Sequence, residues 1–515
     1  MSYSIRPIFW LLALLPGGLA ALLAWQDPFV GSDGLRYLMP IHHWLAGEGW
    51  SFLNQPEVLY PPGYGATSWL FYLLYPDIEF SGIAVSVVSY GLLGLFLYSW
   101  LKPLLGTMGA LLVAALFYGQ ATLLSFATTT MTECLYILVT LILFRSLINL
   151  WQTPSFYQGI LVGLLVGYGF MLRPEMIGIG SSLLALMFIR ACWRSIRLSE
   201  KSHFIPSLLA LTIFVLTMLG YGWMQKQLSG HFALTGKGVT SMHVMESREQ
   251  GQEVARNSGH GQSLLGYFLA KDPQWVWQRW KKNFWRERHL LWNTFFPLMI
   301  LAGIAWGAAL VTRQRLTLPL PWQPWLWMGG CFAIPLLVYP FFMVDQRYLL
   351  SAATPLVLLL AIFIAVPKQP RLLQPLLLTA AFLMLAHTWW QESKTATGHQ
   401  GLRQAGIWLA NHPEIPLEQV ITPRKKLILS FYALNKKQVL PDPPIQARFH
   451  KGELATLLSR YRELGYDYLV LDWKYAFDSQ ATATLWANPA SGQPLGAELL
   501  HDEERFKVFR LLATQ

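Results

Sequence analysis

The chain has 515 residues, 54% of them hydrophobic and only 13% charged, with a formal net charge of +11 and three cysteines. That is too little polar surface for a soluble domain of this size, and the repeated apolar runs read as a polytopic membrane protein. The cations lie mostly between those runs, which points to topology and anionic lipid rather than nucleic acid; Cys134, Cys192 and Cys331 make neither a disulfide framework nor a metal motif.

About eleven spans follow from apolar length. They are Phe9–Trp25, Gly82–Trp100, Met108–Phe126, Thr132–Leu150, Phe156–Leu172, Met176–Ile189, Phe204–Gln225, Leu290–Val311, Trp322–Met343, Leu349–Val366 and Leu372–Trp390. The first is read as a retained span, because its apolar part is long and no small-residue cleavage site follows. The short fifth and sixth, joined by "LRPE", read as a hairpin that does not cross fully. With Arg6 in the cytoplasm, the turns on that side carry Lys102, Arg145, Arg190, Arg194, Arg197, Lys201, Arg313, Arg315, Lys368 and Arg371, offset only by Glu200. The expected location is therefore the inner (plasma) membrane, with the N-terminus cytoplasmic and the long polar pieces outside.

Those outer pieces are Gln26 to about Ser81, Lys226 to His289, and everything after Gln391. In the first, "MPIHHWLAGEGW" and "SWLFYLLYP" predict helices lying in the interface. In the second, "WVWQRWKKNFWRERHLLW" predicts a helix resting at the headgroups. The tail alternates: helix at "GLRQAGIWLANHP", strand at "EQVITP", helix at "RKKLILSFYAL", strand at "KQVLPD", helix at "GELATLLSRYRELG", strands at "YDYLVLDW" and "RFKVFRLLA". The fold class expected is a polytopic all-α membrane domain over residues 1–390, with interfacial helices in its first outer loop, followed by a small extracytoplasmic α/β domain over 391–515.

On this map the ionisable residues beside spans gather on the outer face: Asp33, Glu133, Arg173 with Glu175, and Asp345 with Arg347 and Tyr348. Charged groups at membrane depth are costly, and mark a site or a paired structural contact. The segments "SDGLRY", "LYPPGYG", "TMTE", "MLRPE" and "DQRYLLSAATPLVLLLA", in that order, with "ITPRKKLILSFYALNKKQVLPD" and "YDYLVLDW" in the tail, resemble the GT-C-type membrane glycosyltransferases. The branch they are most similar to is the bacterial one related to protein O-mannosyltransferases and the lipid A aminoarabinose transferase, and the resemblance runs over nearly the whole chain.

The resemblance implies transfer of a sugar from a polyprenyl-phosphate carrier to an acceptor hydroxyl on a lipid, glycan or protein, outside the cytoplasm and with inversion. Asp33 matches the acidic residue proposed as general base, and Glu133 the second acidic position, which orients the acceptor, the base or a divalent ion. Arg173, Arg347 and Tyr348 fall where the donor phosphate would be held, and Tyr37, Tyr60, Tyr64, Glu175 and Asp345 where a pocket would be lined. Gly34 stands where a second acid often follows the first, so a metal-binding acidic pair is not expected at Asp33. No cofactor is required by the sequence, and a divalent metal is left open.

Each residue also has a structural reading: Asp33 or Ser32 as a helix cap, Glu133 snorkelling or pairing with a lysine, Arg347 pairing with Asp345, Arg173 and Glu175 pinning the turn at Pro174, and Tyr60 to Tyr64 fixing a rigid extended turn. His42 and His43 are adjacent, point apart on a helix and make a poor metal pair. Two other functions compete. A lipid-linked oligosaccharide ligase or polymerase would use a long outer loop such as Lys226–His289. A lipid-sugar flippase or transporter would place its charges near the midplane and show internal repeats.

Overall fold

A computed structural model describes residues 7–26, 28–118, 120–197, 199, 201–235, 242–243, 264–311, 329–331, 336, 346–365, 376–381, 383, 386–387, 390, 400–423, 425–442, 453–477 and 479–512. In lipid a backbone must satisfy its own hydrogen bonds, so the apolar runs become helices. These are α1 (Pro7–Gln26), α2 (Ser32–Leu45), α3 (Gly63–Tyr72), α4 (Ile78–Tyr118), α5 (Ala121–Ala127), α6 (Glu133–Gln152), α7 (Phe156–Leu172), α8 (Met176–Arg197) and α9 (Phe204–Ser229). Later helices span Pro273–Val311 and Gln346–Ala365. Among the described residues, four helices are long and apolar enough to cross a membrane: α4, α6, α8 and α9. The chain is a multi-pass membrane protein.

The structure redraws several expected boundaries. The second and third spans remain two helical arms of α4, separated at Gly106, whose φ is 72°. The Tyr118 hydroxyl donates to the Tyr90 carbonyl at 2.7 Å. In a continuous helix those residues would stand about 42 Å apart at 1.5 Å per residue, so the chain folds back at Gly106. The sixth span does not stop at Ile189. Helix α8 has 22 residues and ends at Arg197, because its basic residues extend the helix past the apolar run. The headgroup helix and the span expected from Leu290 are one 39-residue helix, Pro273–Val311, which runs on through Pro297, Gly303 and Gly307. The spans expected at Trp322–Met343 and Leu372–Trp390 lie largely outside the described residues.

Helices α6 to α9 alternate in direction through short turns. At one end, Arg190 of α8 stacks on Trp151 of α6 (3.9 Å to the ring centroid) and meets His203 ahead of α9 at 3.4 Å. The opposite end holds the start of α6, the α7–α8 turn and the loop between α1 and α4. Helices α7 and α9 pack backbone to backbone. A Cβ on Gly159, Gly163 or Gly167 would come within 2.4 Å of the Pro206 oxygen, 2.8 Å of Ile213 and 2.7 Å of Thr217. Small residues at this four-residue spacing are how membrane helices approach closely.

The loop between α1 and α4 forms α2, a two-residue antiparallel ribbon of β1 (Ser51–Phe52) and β2 (Gln55–Pro56), and α3. Helices are therefore present at both amphipathic stretches, but α2 begins at Ser32 and so includes the residues expected to be loop.

The tail folds into a four-stranded sheet ordered β3 (Val420–Ile421), β4 (Tyr468–Asp472), β6 (Phe506–Leu511), β5 (Ala497–Asp502). Strand β3 runs parallel to β4, and β6 antiparallel to both its neighbours. Alternate residues face opposite sides. Val470 and Val508 join the core shared with the membrane helices, through helices Gln400–Ala410 and Lys426–Ala433. Leu469, Leu471 and Phe509 pack instead with Leu457, Tyr461 and Leu485. The strand expected at "KQVLPD" is not formed: the Leu440 N–H goes to the Ser430 hydroxyl at 2.8 Å, and Pro441 has no donor to offer a ladder. Strand β5, whose "AELLHD" alternation is weak, was not foreseen.

Candidate active site

The site begins at the first turn of α2. Gly31 is its N-cap, without a side-chain cap bond, so neither Ser32 nor Asp33 serves as the cap. Asp33 lies in the first turn, where the helix dipole favours a carboxylate. Its Oδ1 accepts the Tyr60 hydroxyl at 3.0 Å. Tyr60 is held in turn by Glu57, a wholly buried carboxylate whose Oε1 accepts the N–H of Leu59 at 2.7 Å and of Tyr60 at 3.3 Å. Pro61 and Pro62 stiffen the turn into α3.

Two glycines bring this loop against the membrane helices. A Cβ on Gly34 would meet the Thr130 carbonyl at 2.8 Å, and one on Gly63 the Met171 carbonyl at 2.6 Å. The first contact lays α2 on the segment leading into α6. The second lays the "YPPGY" turn on the end of α7, two residues before Arg173.

Arg173 is buried, with 4% of its surface exposed. Its Nη1 meets Glu133 Oε1 at 2.9 Å and its Nη2 meets Glu175 Oε1 at 3.2 Å. Its guanidinium also lies 5.6 Å from the Tyr136 ring centroid. Burial works against the Arg173 charge, and Glu175 and Glu133 more than offset it, raising its pKa above the ordinary arginine value. Tyr37 joins the two halves of the site. Its ring packs edge-on to Tyr60 at 4.8 Å and tilted to Tyr64 at 5.5 Å, and it lies within electrostatic reach of Arg173. The buried Tyr64 hydroxyl is turned away, donating to the Gly82 carbonyl at 2.7 Å.

Seven residues singled out in the sequence thus come together: Asp33, Tyr37, Tyr60, Tyr64, Glu133, Arg173 and Glu175. Asp345 lies outside the described residues. Arg347 and Tyr348 fall in the first turn of helix Gln346–Ala365, and their side chains lie outside the description. Among the described residues no group of three or more His, Cys, Asp or Glu is placed to hold a metal ion. Between Glu133 and Glu175 a guanidinium stands where a cation would bind.

Other residues of this cluster were not expected. Arg36, inside the quoted "SDGLRY", lies 5.7 Å from the ring centroids of Phe52 and Tyr60. Glu57 had no signal beyond being an acid in a polar loop. Glu79 did carry one, being an acid at the head of a long apolar run. It is 3% exposed, and it receives the C-terminal domain. Tyr432 donates to its Oε1 at 2.6 Å, Lys436 meets its Oε2 at 2.7 Å, and Arg403 approaches at 3.7 Å. Lys436 also reaches Asp77 at 2.7 Å, and the Val30 N–H donates to the Tyr432 hydroxyl at 3.3 Å. Beside them, Lys425 Nζ donates to Ser32 Oγ at 2.8 Å.

Residues 60–220 match the family described as dolichyl-phosphate-mannose-protein mannosyltransferase. No curated protein sequence matches the chain significantly. Among solved structures, the chain is similar to ArnT from Cupriavidus metallidurans bound to undecaprenyl phosphate: TM-score 0.57 and 13% identity, over 100% of this chain and 99% of that one. The apo state of ArnT from the same organism gives a TM-score of 0.55 at 12% identity, over 97% of each chain. The family match covers the segment bearing Tyr60, Tyr64, Glu133, Arg173 and Glu175, and the structural match covers the C-terminal sheet as well. The chain therefore has the fold of the GT-C-type membrane glycosyltransferases.

Proposed function

We propose that the protein moves a sugar from a polyprenyl-phosphate carrier to an acceptor hydroxyl on the extracytoplasmic face, inverting the anomeric centre, with Asp33 as general base. The observation that carries this reading is the Asp33–Tyr60 pair, set beside the Arg173–Glu133 pair in one cluster. Further support comes from the fold shared with a protein whose structure holds undecaprenyl phosphate. In this reading the acceptor approaches the anomeric carbon opposite the phosphate, and Asp33 takes its proton. A carboxylate there also stabilises the oxocarbenium character of the transition state. The bond from Tyr60 fixes how Asp33 presents its second oxygen. Arg173 orients Glu133 toward the acceptor. Arg347 and Tyr348 hold the donor phosphate, and Tyr37, Tyr64, Glu175 and Asp345 shape the pocket. A guanidinium has five N–H donors, so a phosphate role for Arg173 means sharing it with two carboxylates.

Residues 1–390 would form the catalytic domain and 391–515 its extracytoplasmic cap, in the inner membrane. Arg190, Arg194 and Arg197, at the end of α8 away from the site, support a cytoplasmic location for that end. The test is transfer of labelled sugar from polyprenyl-phosphate donors in membranes containing the protein. Asp33→Asn should lose about 10²-fold or more in turnover while inserting and melting like the parent. Near-parental turnover in that variant would remove Asp33 as the base. Movement of the lipid-linked sugar across the bilayer without transfer would put a carrier in place of the enzyme.

A further inference from the structure

The loop between β3 and helix Lys426–Ala433 presents two adjacent lysines in opposite directions. Lys426 is turned inward, 5% exposed, with its Nζ 3.3 Å from the Glu418 carbonyl. Lys425 adopts a left-handed backbone, φ 65° and ψ 38°, that side-chain-bearing residues rarely take up. The result is that its ammonium crosses to the loop between α1 and α4 and meets Ser32, the residue before Asp33, at 2.8 Å. Strained backbone of this kind persists where the surroundings over-determine it, often at functional sites. Here the surroundings are explicit. The Leu427 N–H is tied to Asp442 at 3.2 Å, Asp442 is close enough to act on the Arg36 charge, and the Glu79 cluster fastens the same segment a few residues on.

In the cluster around Asp33 the carboxylates of Asp33, Glu57, Glu133 and Glu175 outnumber the guanidinium groups of Arg36 and Arg173, and Arg173 already serves two of them. That balance is among the described side chains, and a phosphate held by Arg347 in the reading above gains from a second cation. We propose that the C-terminal domain completes the active site by supplying Lys425 as the group that takes up the negative charge appearing on the carrier's phosphate. The proposal rests on the glycosyl-transfer reading. In that step the bond between the anomeric carbon and the phosphate oxygen breaks, its electron pair staying on the oxygen. The acceptor oxygen bonds to the anomeric carbon, and its proton passes to Asp33. The carrier leaves as a phosphate monoester with one more negative charge than the diester it came from. An ammonium facing that oxygen is worth more in the transition state than in the ground state.

The test uses the full-length protein in detergent micelles, comparing the parent with Lys425→Ala, Lys425→Gln, Lys425→Arg and, as a control of equal charge change, the exposed Lys437→Ala. Binding of undecaprenyl phosphate and of inorganic phosphate is followed by tryptophan fluorescence, and transfer of labelled sugar is measured on the same preparations. Lys425→Ala and Lys425→Gln should weaken undecaprenyl phosphate binding about tenfold and lower kcat by about 10²-fold, at unchanged melting temperature. Arginine should restore most of both, and Lys437→Ala should change neither. Inorganic phosphate should compete through the same lysine, far more weakly than the lipid. Parental affinity and kcat in both neutral variants would overturn the proposal, as would a parent that binds neither phosphate. If no donor supports transfer but phosphate binding still depends on Lys425, the lysine's phosphate contact stands, while its part in transfer falls with the transfer reading.

Discussion

Tyr60 links a catalytic proposal to a folding requirement. Its backbone is tied to Glu57 and its hydroxyl to Asp33, so one side chain carries the geometry of the turn into the carboxylate. Tyr60→Phe keeps the ring packed on Tyr37 and removes one hydrogen bond to a charged group. We expect turnover to fall about tenfold, in line with the value of such bonds, with the melting temperature little changed; labelled-sugar transfer and a thermal melt check this together. Arg173 behaves differently. Arg173→Ala leaves Glu133 and Glu175 facing each other without their cation, at a cost of about 3 kcal/mol in stability. A melt in detergent reads this directly, and Arg173→Lys, which keeps the charge but not the fork, should recover only part of it. At this scale the sequence was informative about identity and less so about partners. Asp33, Glu133 and Arg173 stood out because charge beside a span is conspicuous. Glu57 and Lys425 did not, because a lone acid in a polar loop and one lysine of "PRKK" look like ordinary solvated groups until the fold shows what they meet.

Among elements, the glycine face of α7 determines where Arg173 stands. Gly159, Gly163 and Gly167 let α7 lie on α9, and the end of α7 carries the turn that bears Arg173 and Glu175. Gly163→Leu would drive a side chain into Ala210 and Ile213, and overpacking of this kind costs about 1–3 kcal/mol. We expect lower stability and lost transfer together, although the substitution touches no proposed site residue. Gly163→Ala should be milder on both counts. Helix existence along the chain was legible because apolar runs near twenty residues leave few alternatives. Boundaries were not. Helix α2 begins at Ser32 instead of Met39, since α2 accommodates Pro40 within it, and α8 continues through its arginines. The missing strand at "KQVLPD" has a similar origin: its apolar pattern allowed a strand, but a serine hydroxyl took the backbone donor that a ladder would have needed.

For the whole molecule, the C-terminal domain is fastened through Ser32 to the loop between α1 and α4 and through Glu79 to the start of α4. Burial, and then the Glu79 carboxylate, push the Tyr432 hydroxyl well above its ordinary value of 10. A raised folded-state pKa means that the stabilisation is present in full below the unfolded value and is lost as pH rises toward the folded one. Lys436 has the same sign: burial lowers its pKa, but its bonds to Asp77 and Glu79 outweigh that and raise it above its ordinary 10.5. Docking should therefore be flat between pH 7 and about 9.5 and loosen above about pH 10. Limited proteolysis of the C-terminal domain across that range checks this, and Tyr432→Phe should flatten the alkaline change. The sequence made the two-part layout readable through the switch from long apolar runs to alternating strands and helices. It could not show that Glu79 and Tyr432, 353 positions apart, hold the parts together.

That separation has a consequence for how the protein is made. Glu79 enters the membrane region early, and its tyrosine and lysine partners leave the ribosome 353 or more residues later, an interval of roughly 20–70 s at ordinary elongation rates. Throughout it an acid destined for burial has no cation from the tail, so the nascent first loop must stay hydrated or be chaperoned until the last quarter of the chain arrives.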